Sequence, residues 1–153
     1  MKRSINLILI LYFILLLGFF FNSDPNGGAF GDYQNHLRVI HDFKENFTST
    51  LFKYDTYATR HSPILYIFIS FLYKINFTDG LIRFIGLHIC LLLPIFFYKS
   101  LILKYPNIEK KYLILFSGLI LLSPTFWSLS IWPDSRLYGL IFFSLSIYYF
   151  LNF

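Results

Sequence analysis

Long, nearly uncharged apolar blocks limit what this chain can fold into more than any other feature of its sequence. Four of them occupy residues 5–21, 81–103, 112–132 and 135–153, each close to the length that crosses a hydrocarbon core as a helix. Of the 153 residues, 56% are hydrophobic and only 14% are charged, which is more apolar side chain than a soluble domain of this size can bury. The sequence predicts an all-α integral membrane protein with four to five hydrophobic helices.

The first block, residues 1–21, is predicted to be an uncleaved signal-anchor helix. Its apolar run is long and no small-x-small cleavage pattern follows it, although a cleaved secretory signal would share its basic start. Positive flanks stay in the cytoplasm, so we expect a cytoplasmic N-terminus and a multi-pass chain in the inner (plasma) membrane. The chain is treated as one transmembrane domain, 1–153, with an external loop at 22–61 and membrane helices at 62–153.

One further apolar stretch is ambiguous. Residues 63–78 are short and are interrupted by Lys74 and Asn76, so they form either a fifth span or a helix that does not cross. If they span, alternation places the lysine-rich link around residue 110 outside, against the positive-inside rule. If they do not span, those lysines stay inside, and Asp134 lies outside beside the first loop. The second version agrees better with the charges.

The polar loop, residues 22–61, holds most of the polar chemistry, including five of the eight acidic residues. Within it, apolar residues recur at helical spacing, and polar residues fall mostly on the opposite face. The apolar positions are Tyr33, Leu37, Ile40, Phe43 and Phe47. This pattern predicts an amphipathic helix that either lies in the membrane interface or packs on another segment of the protein.

Charge and cysteine content exclude some classes of function. The net charge is +5, but the cations cluster at membrane edges rather than on one face, so we predict no nucleic-acid partner. The single cysteine, Cys90, lies in an apolar block, which excludes a disulfide framework and a cysteine metal pair. The abundance of Ile, Phe, Tyr, Lys and Asn is typical of a bacterial protein from an AT-rich genome.

The stretch "NSDPNGGAFGDY", from Asn22, places two carboxylates around flexible backbone at the predicted membrane edge. In structural terms, Asp32 is the N-cap of the amphipathic helix, Asp24 before Pro25 forms a turn, and the glycines end local structure. In functional terms, glycines let the backbone approach a ligand, and a carboxylate at the depth of lipid head groups suits deprotonation of a hydroxyl. Both interpretations stay open.

Two other stretches are candidates for a polar site. In "RHSPILY", Arg60 and His61 are either interfacial anchors or ligands of a phosphate or metal ion, since arginine binds phosphate oxygens and histidine is a common metal ligand. In "WPDSR", Asp134 either caps the last helix or joins the same pocket as Asp32. The second role requires both carboxylates on one side of the membrane.

The other histidines give no metal site by their spacing. His36 and His41 are five positions apart, so they diverge by about 140° on a helix and do not form a metal pair. His88 lies in an apolar block and is predicted to be a packing residue or a polar contact between helices.

The order of these features resembles the start of the GT-C glycosyltransferases that use polyprenyl-phosphate sugars. The similarity is greatest to bacterial relatives of protein O-mannosyltransferases and of lipid A aminoarabinose transferase. The features that match are a signal-anchor helix, an outward loop with an Asp before a helix, "H-x-P-x-L-Y" from His61, and "W-P-D" from Trp132 before another span. The resemblance covers almost the whole chain, and the order of its short motifs carries it.

The resemblance implies an inverting transfer of a sugar from a polyprenyl-phosphate donor to a hydroxyl of a lipid, glycan or protein acceptor, outside the cytoplasm. By position, it matches the catalytic base to Asp32, with Asp24 as the second choice. It also places His61 in the pocket near a phosphate or metal ion, and it matches Asp134 to the acid that follows a later span.

The leaving group in such a transfer is a phosphate, which needs no proton, so one carboxylate suffices where inverting glycoside hydrolases need two. Cations near the phosphate stabilise the charge that develops on it, and the candidates are Arg60 and Arg38. The resemblance also allows a divalent metal ion as a cofactor.

Members of this class are much longer and have many more spans. The resemblance therefore implies that this chain is an N-terminal portion that carries the base. The alternatives are a small non-catalytic membrane subunit and a fragment of a transporter whose acids bind substrate or couple protons. A carrier would place its ionisable residues at mid-membrane, whereas here they lie in a loop and at helix ends.

Overall fold

A computed structural model describes residues 2–59 and 61–153, which form helices joined by short turns, with no strand among them. The all-α class is therefore confirmed for this part of the chain. The helices are α1 (Lys2–Phe20), α2 (Ala29–Glu45), α3 (Phe47–Phe52), α4 (Ile64–Lys74), α5 (Asp79–Cys90), α6 (Leu92–Lys104), α7 (Lys110–Gly118), α8 (Pro124–Ile131) and α9 (Ser135–Asn152). Short 3-10 segments follow α3 at Tyr54–Tyr57 and α7 at Leu119–Leu122.

The α7–α8 segment runs beside α1 in the same direction. Towards the start of α1, Ile8 contacts Gly118, and towards its end Gly18 faces the indole ring of Trp127. A Cβ atom on Gly18 would lie 2.3 Å from the Trp127 Nε1 atom, so only glycine fits at this helix crossing.

The α5–α6 segment runs in the direction opposite to α1. The Tyr12 hydroxyl lies 2.9 Å from His88 Nε2, and further along α1 the ring of Phe19 contacts that of Phe84. The other ring nitrogen of His88 lies 2.8 Å from the Phe84 carbonyl oxygen. The predicted role of His88 as a polar contact between helices is confirmed.

The last helix, α9, runs in the same direction as α5–α6 and packs closely on α6. Gly86 faces the Tyr138 hydroxyl near the start of this contact, and the rings of Phe96 and Tyr148 meet further along it. Buried apolar side chains from these segments form one core, which includes Leu15, Leu87, Leu121, Leu129, Leu137 and Ile141.

These directions give the bundle two chemically different ends. At one end, α1 and α8 finish and α5 and α9 begin, and the acidic residues Asp24, Asp79 and Asp134 lie there. We call this the polar end. At the other end, Lys104 and Lys110 flank the turn between α6 and α7.

The amphipathic helix α2 lies at the polar end and is the helix predicted from the polar loop. Its apolar face packs on α4 and α5 through a second buried cluster, Val39, Ile40, Phe43, Tyr66, Ile69 and Ile82. Of the two arrangements that the sequence left open for this face, packing on another segment of the chain is the one found. The α4 helix, which lies within the ambiguous stretch, has 11 residues and is a partner of α2 rather than a fifth long segment of the bundle.

By length and composition, one helical stretch among the described residues is able to cross a membrane, Asp79–Lys104 with 26 residues. The pair Lys110–Leu122 and Pro124–Ile131 meets the same test together, but its axis bends by 65°. Ser4–Phe20 and Ile64–Lys74 are shorter apolar helices.

The bend changes the single straight helix expected at residues 112–132. Ser123 precedes Pro124, whose ring disfavours helical backbone at the residue before it, and Ser123 is extended, with φ −68° and ψ 122°. Its hydroxyl accepts a hydrogen bond from the Phe126 amide at 3.3 Å and so caps the new helix. Ser-Pro therefore ends one helix and starts the next.

Candidate functional site

A three-residue ionic cluster at the polar end joins the first loop to the last helix. The Arg136 side chain binds Asp134 at two points, with Nε donating to Oδ1 at 2.8 Å and Nη2 donating to Oδ2 at 2.7 Å. The same Nη2 donates to Asp32 Oδ2 at 3.0 Å, across 104 residues of sequence. The structure thus brings the candidate residues Asp32 and Asp134 onto one guanidinium group.

Asp134 is fixed in this cluster by its backbone position. It is the N-cap of α9, and its Oδ1 accepts the Arg136 amide at 2.7 Å, which is the cap expected from the sequence. Its side chain is only 4% exposed. Burial alone would raise the pKa of Asp134, but the hydrogen bonds and charge of Arg136 outweigh burial and hold that pKa below its usual range.

Asp32 does not cap α2, contrary to the structural interpretation of the sequence. The helix begins at Ala29, and its N-cap is Gly28 with φ 108°, a left-handed conformation open to glycine. Asp32 therefore falls in the first helical turn, where a negative charge is favourable. Its side chain is 53% exposed and points to Arg136, so the carboxylate is free of the backbone contacts of a cap.

Asp24 binds backbone amides at the start of α2 in place of a cap residue. Its Oδ2 accepts hydrogen bonds from the Gly28 amide at 2.9 Å and the Phe30 amide at 3.1 Å. Burial alone would raise the pKa of Asp24, but these amides outweigh burial and lower it. The turn chemistry predicted for Asp24 is confirmed.

A polar cavity of about 600 Å³ opens beside Asp32. Arg38 and His61 line the same cavity, so three predicted site residues share it. His36 lines it too, although no place in the site was predicted for that residue. Arg60, the other predicted phosphate ligand, lies outside the described residues.

His36 is the buried polar residue of this cavity, with 9% exposure. Its ring lies 5.5 Å from the His61 ring and 5.0 Å from the Tyr66 ring, measured between centroids. Burial lowers the pKa of His36, and the neighbouring His61 lowers it further, although the negative charges of Asp134 and Asp32 oppose the shift. A neutral imidazole therefore faces the cavity.

Asp24, the second choice for the base, lines a different cavity, of about 530 Å³, with Asn22, Asp79 and Arg83. With Oδ2 occupied by two backbone amides, Asp24 is a structural residue of the loop. The geometry therefore separates the two candidate bases and leaves Asp32 alone beside Arg38 and His61.

The sequence did not reveal a second arginine cluster at this end. Arg83, 7% exposed, donates to the Ile131 carbonyl at 3.1 Å and to Asn22 Oδ1 at 2.9 Å. Its guanidinium lies 3.6 Å from the centre of the Trp132 ring. Trp132, 4% exposed, is therefore a buried partner of Arg83. The spacing of Asp79 and Arg83, four apart on a helix, was the available signal.

Among residues 2–59 and 61–153, no three His, Cys, Asp or Glu side chains are placed to share a metal ion. The divalent ion that the resemblance allowed stays a prediction, and no step of the proposed reaction uses it.

Comparisons with protein-family models, with curated proteins and with solved structures find no match.

Proposed function

We propose that this chain is a plasma-membrane protein that carries the catalytic base of a glycosyltransferase using polyprenyl-phosphate sugars. The observation that supports this most is the pairing of Asp32 with Arg136 and Asp134 beside a polar cavity that Arg38 and His61 also line. A carboxylate, several cations and an open volume meet at one end of a helical bundle. That is the set of groups an inverting transfer from a lipid phosphate requires.

The membrane part of the proposal has four passes: α1, α5–α6, α7–α8 and α9. Large apolar side chains point outward along these segments, among them Phe13, Phe116, Phe142 and Phe150. Lipid around the bundle would remove them from water. The lysines of the α6–α7 turn lie at the end where α1 begins, so the positive-inside rule puts that end in the cytoplasm and the polar end outside.

In the proposed reaction, the acceptor is a hydroxyl of a lipid, glycan or protein. Its oxygen attacks the anomeric carbon of the sugar while Asp32 takes the hydroxyl proton. The bond between that carbon and the phosphate oxygen breaks, and its electron pair leaves on the polyprenyl phosphate. Attack from the face opposite the leaving group inverts the anomeric centre. The phosphate leaves as a stable anion, and Arg136 and Arg38 supply the positive charge that stabilises it.

The location of the charges favours this reaction over transport. Asp32, Asp134 and Arg136 lie at the end of the bundle, at the depth of lipid head groups in the proposed orientation. A carrier needs ionisable groups near mid-membrane to bind its substrate during alternating access. The mid-bundle polar contact between Tyr12 and His88 carries no acidic group.

Replacement of the base tests the proposal. In membranes from cells that make the whole protein, Asp32→Asn should lower sugar transfer from a radiolabelled polyprenyl-phosphate sugar by about 10²–10⁴-fold, the range typical of general-base catalysis. Glu45→Gln, an exposed carboxylate on the same helix, is the matched control and should keep the wild-type rate. Membrane insertion, followed by carbonate extraction, should be equal in both variants. A wild-type rate in Asp32→Asn would remove Asp32 as the base.

A further inference from the structure

A third cavity, of about 610 Å³, runs between α6, α8 and α9, away from the polar cavity. Apolar side chains make up nearly all of its wall, including Leu93, Phe97, Phe126, Leu140, Phe143 and Ile147. At the polar end, its wall ends on Arg136. We call this cavity the groove. It is an apolar channel with a cation at its mouth.

The dimensions of the groove suit a single hydrocarbon chain. From Leu137 to Ile147, α9 rises about 15 Å, at about 1.5 Å for each residue. A volume of about 610 Å³ over that length corresponds to a channel about 7 Å wide. A helix with its side chains is about 10–12 Å wide, so a further helix does not enter the groove.

Arg136 belongs to both the groove and the ionic cluster, and its two carboxylate partners hold it unequally. The contact with Asp134 has two hydrogen bonds, and Asp134 is buried. The contact with Asp32 is a single one between side chains that are 52% and 53% exposed. An exposed pair of this kind is worth only about 0–1 kcal/mol. Asp134 therefore orients Arg136, while another anion can replace Asp32 at little cost in free energy.

A phosphate group is a stronger partner for Arg136 than Asp32 is. A lipid phosphate monoester, the product of the transfer, carries between one and two negative charges near neutral pH and three acceptor oxygens, and the diester of the sugar donor keeps one charge and two free oxygens. Its bonds to a guanidinium are charge-assisted and often paired. A molecule with a phosphate at the end of a hydrocarbon chain therefore matches both features at once, with the chain in the groove and the phosphate at its mouth.

We propose that the groove binds the hydrocarbon chain of a lipid phosphate, whose phosphate takes Arg136 from Asp32 and so frees the Asp32 carboxylate. Asp32 is then held by Arg136 when the site is empty and released when the donor is in place. The arrangement couples donor binding to the availability of the base. In this arrangement Arg136 is a ligand of the phosphate, and this part of the bundle is the lipid-binding surface.

This inference rests on the proposed function for its chemical purpose, but its test reads binding and not transfer. A lipid phosphate that binds in the groove without any sugar transfer would retain the inference and remove the glycosyltransferase. Sugar transfer by a protein that binds a lipid phosphate no better than the same lipid without its phosphate would retain the glycosyltransferase and remove the inference.

The first experiment measures the affinity of the detergent-solubilised protein for decaprenyl phosphate and for decaprenol, which has the same chain without the phosphate. The phosphate should bind about 10–100-fold more tightly, as expected for charge-assisted hydrogen bonds. Asp32→Asn removes the competing carboxylate and should tighten phosphate binding by about two- to fivefold, with no change for decaprenol. The variant that abolishes transfer is thus the one that binds the lipid phosphate best. Inorganic phosphate, which has no chain, should bind more weakly than either lipid.

The second experiment fills the groove. Leu140→Trp places an indole in it and should weaken binding of both lipids by about tenfold. Phe142→Trp lies on the same helix, 67% exposed and outside the groove, and should leave both affinities within twofold of wild type.

Three results would overturn the inference. They are equal affinity for decaprenyl phosphate and decaprenol, weaker phosphate binding in Asp32→Asn, and equal effects of Leu140→Trp and Phe142→Trp. A Leu140→Cys variant tests whether a second chain covers the groove. A disulfide that forms between two copies of this variant in membranes would show that it does, and would overturn the inference too.

Discussion

Two arginines at the polar end, Arg83 and Arg136, differ in how deeply they are buried and in what their side chains contact. Arg83 is buried, bonds to Ile131 and Asn22 on two other segments, and lies flat over Trp132. Arg136 is half exposed, and its main partner is a residue two positions away on its own helix.

The difference shows how the surroundings of an arginine decide its role. Arg83 ties the ends of α1, α5 and α8 together through its Nε and Nη2 atoms, and its Nη1 atom lies 3.9 Å from Asp79. Arg136 has one fixed contact and one contact that exchanges, and it borders both the groove and the ionic cluster. Replacing the two arginines and their neighbours tests whether Arg83 and Arg136 differ in role.

The largest effect is expected when each arginine is replaced by glutamine. Arg83→Gln loses two hydrogen bonds to other segments and the stacking on Trp132, and should lower the free energy of unfolding by about 3 kcal/mol. Arg136→Gln should cost about 1 kcal/mol, because its side chain is half exposed and glutamine still donates to Asp134. Denaturant titration in detergent micelles measures both values. Equal losses would mean that the two arginines do not differ in role.

A smaller effect concerns the residue that orients Arg136. Asp134→Ala removes the N-cap of α9 and should lower the free energy of unfolding by about 1 kcal/mol. Asp134→Asn should recover most of this loss, since asparagine caps helices about as well as aspartate. If asparagine were as destabilising as alanine, the ionic contact rather than the cap would fix Asp134, and the orientation of Arg136 would depend on charge alone.

The smallest effect is a pH dependence near the site. Burial holds the pKa of His36 below its ordinary 6.5, so the unfolded chain binds more protons than the folded one as the pH falls. The stability that comes from keeping His36 neutral is complete above pH 6.5. It is lost as the pH falls towards the pKa of His36 in the folded chain. The melting temperature should therefore decrease between pH 7.5 and pH 5, and His36→Gln should make that decrease smaller.

His41→Gln is the matched control, because His41 is exposed on the same helix, and it should keep the wild-type pH profile. Asp24 and Asp134 do not interfere in this range. Their pKa values lie below the ordinary 3.8, so the stability they contribute is lost only at lower pH. A steeper profile in His36→Gln than in wild type would contradict the predicted neutral imidazole.

Local signals in the sequence predicted the helical segments and the cap of α9, but not the cap of α2. The apolar spacing from Tyr33 to Phe43 gave the buried face of α2, and Asp134 after Pro133 gave the start of α9. Such features depend on residues within one or two turns of each other, so a single sequence contains them.

Contacts between distant segments were not predictable in the same way. Which helix covers α2, which arginine meets Asp32 and where Trp132 lies are decided by packing between elements. The sequence predicted that α2 starts after Asp32, whereas it starts at Ala29. The difference arises because a positive φ at Gly28 and the carboxylate of Asp24 replace the usual cap. Membrane insertion, the sugar-transfer chemistry and the roles of the site residues stay predictions.

The 104 residues between Asp32 and Arg136 have a consequence for how the protein is made. A chain emerges from the ribosome starting with its N-terminus, so α1 and the first loop are present long before α9 exists. During that time the Asp32 carboxylate has no guanidinium beside it, and a loop of this length costs entropy to close. The ionic cluster therefore cannot form before α9 has been made, and its presence marks a chain in which the first loop and α9 have come together.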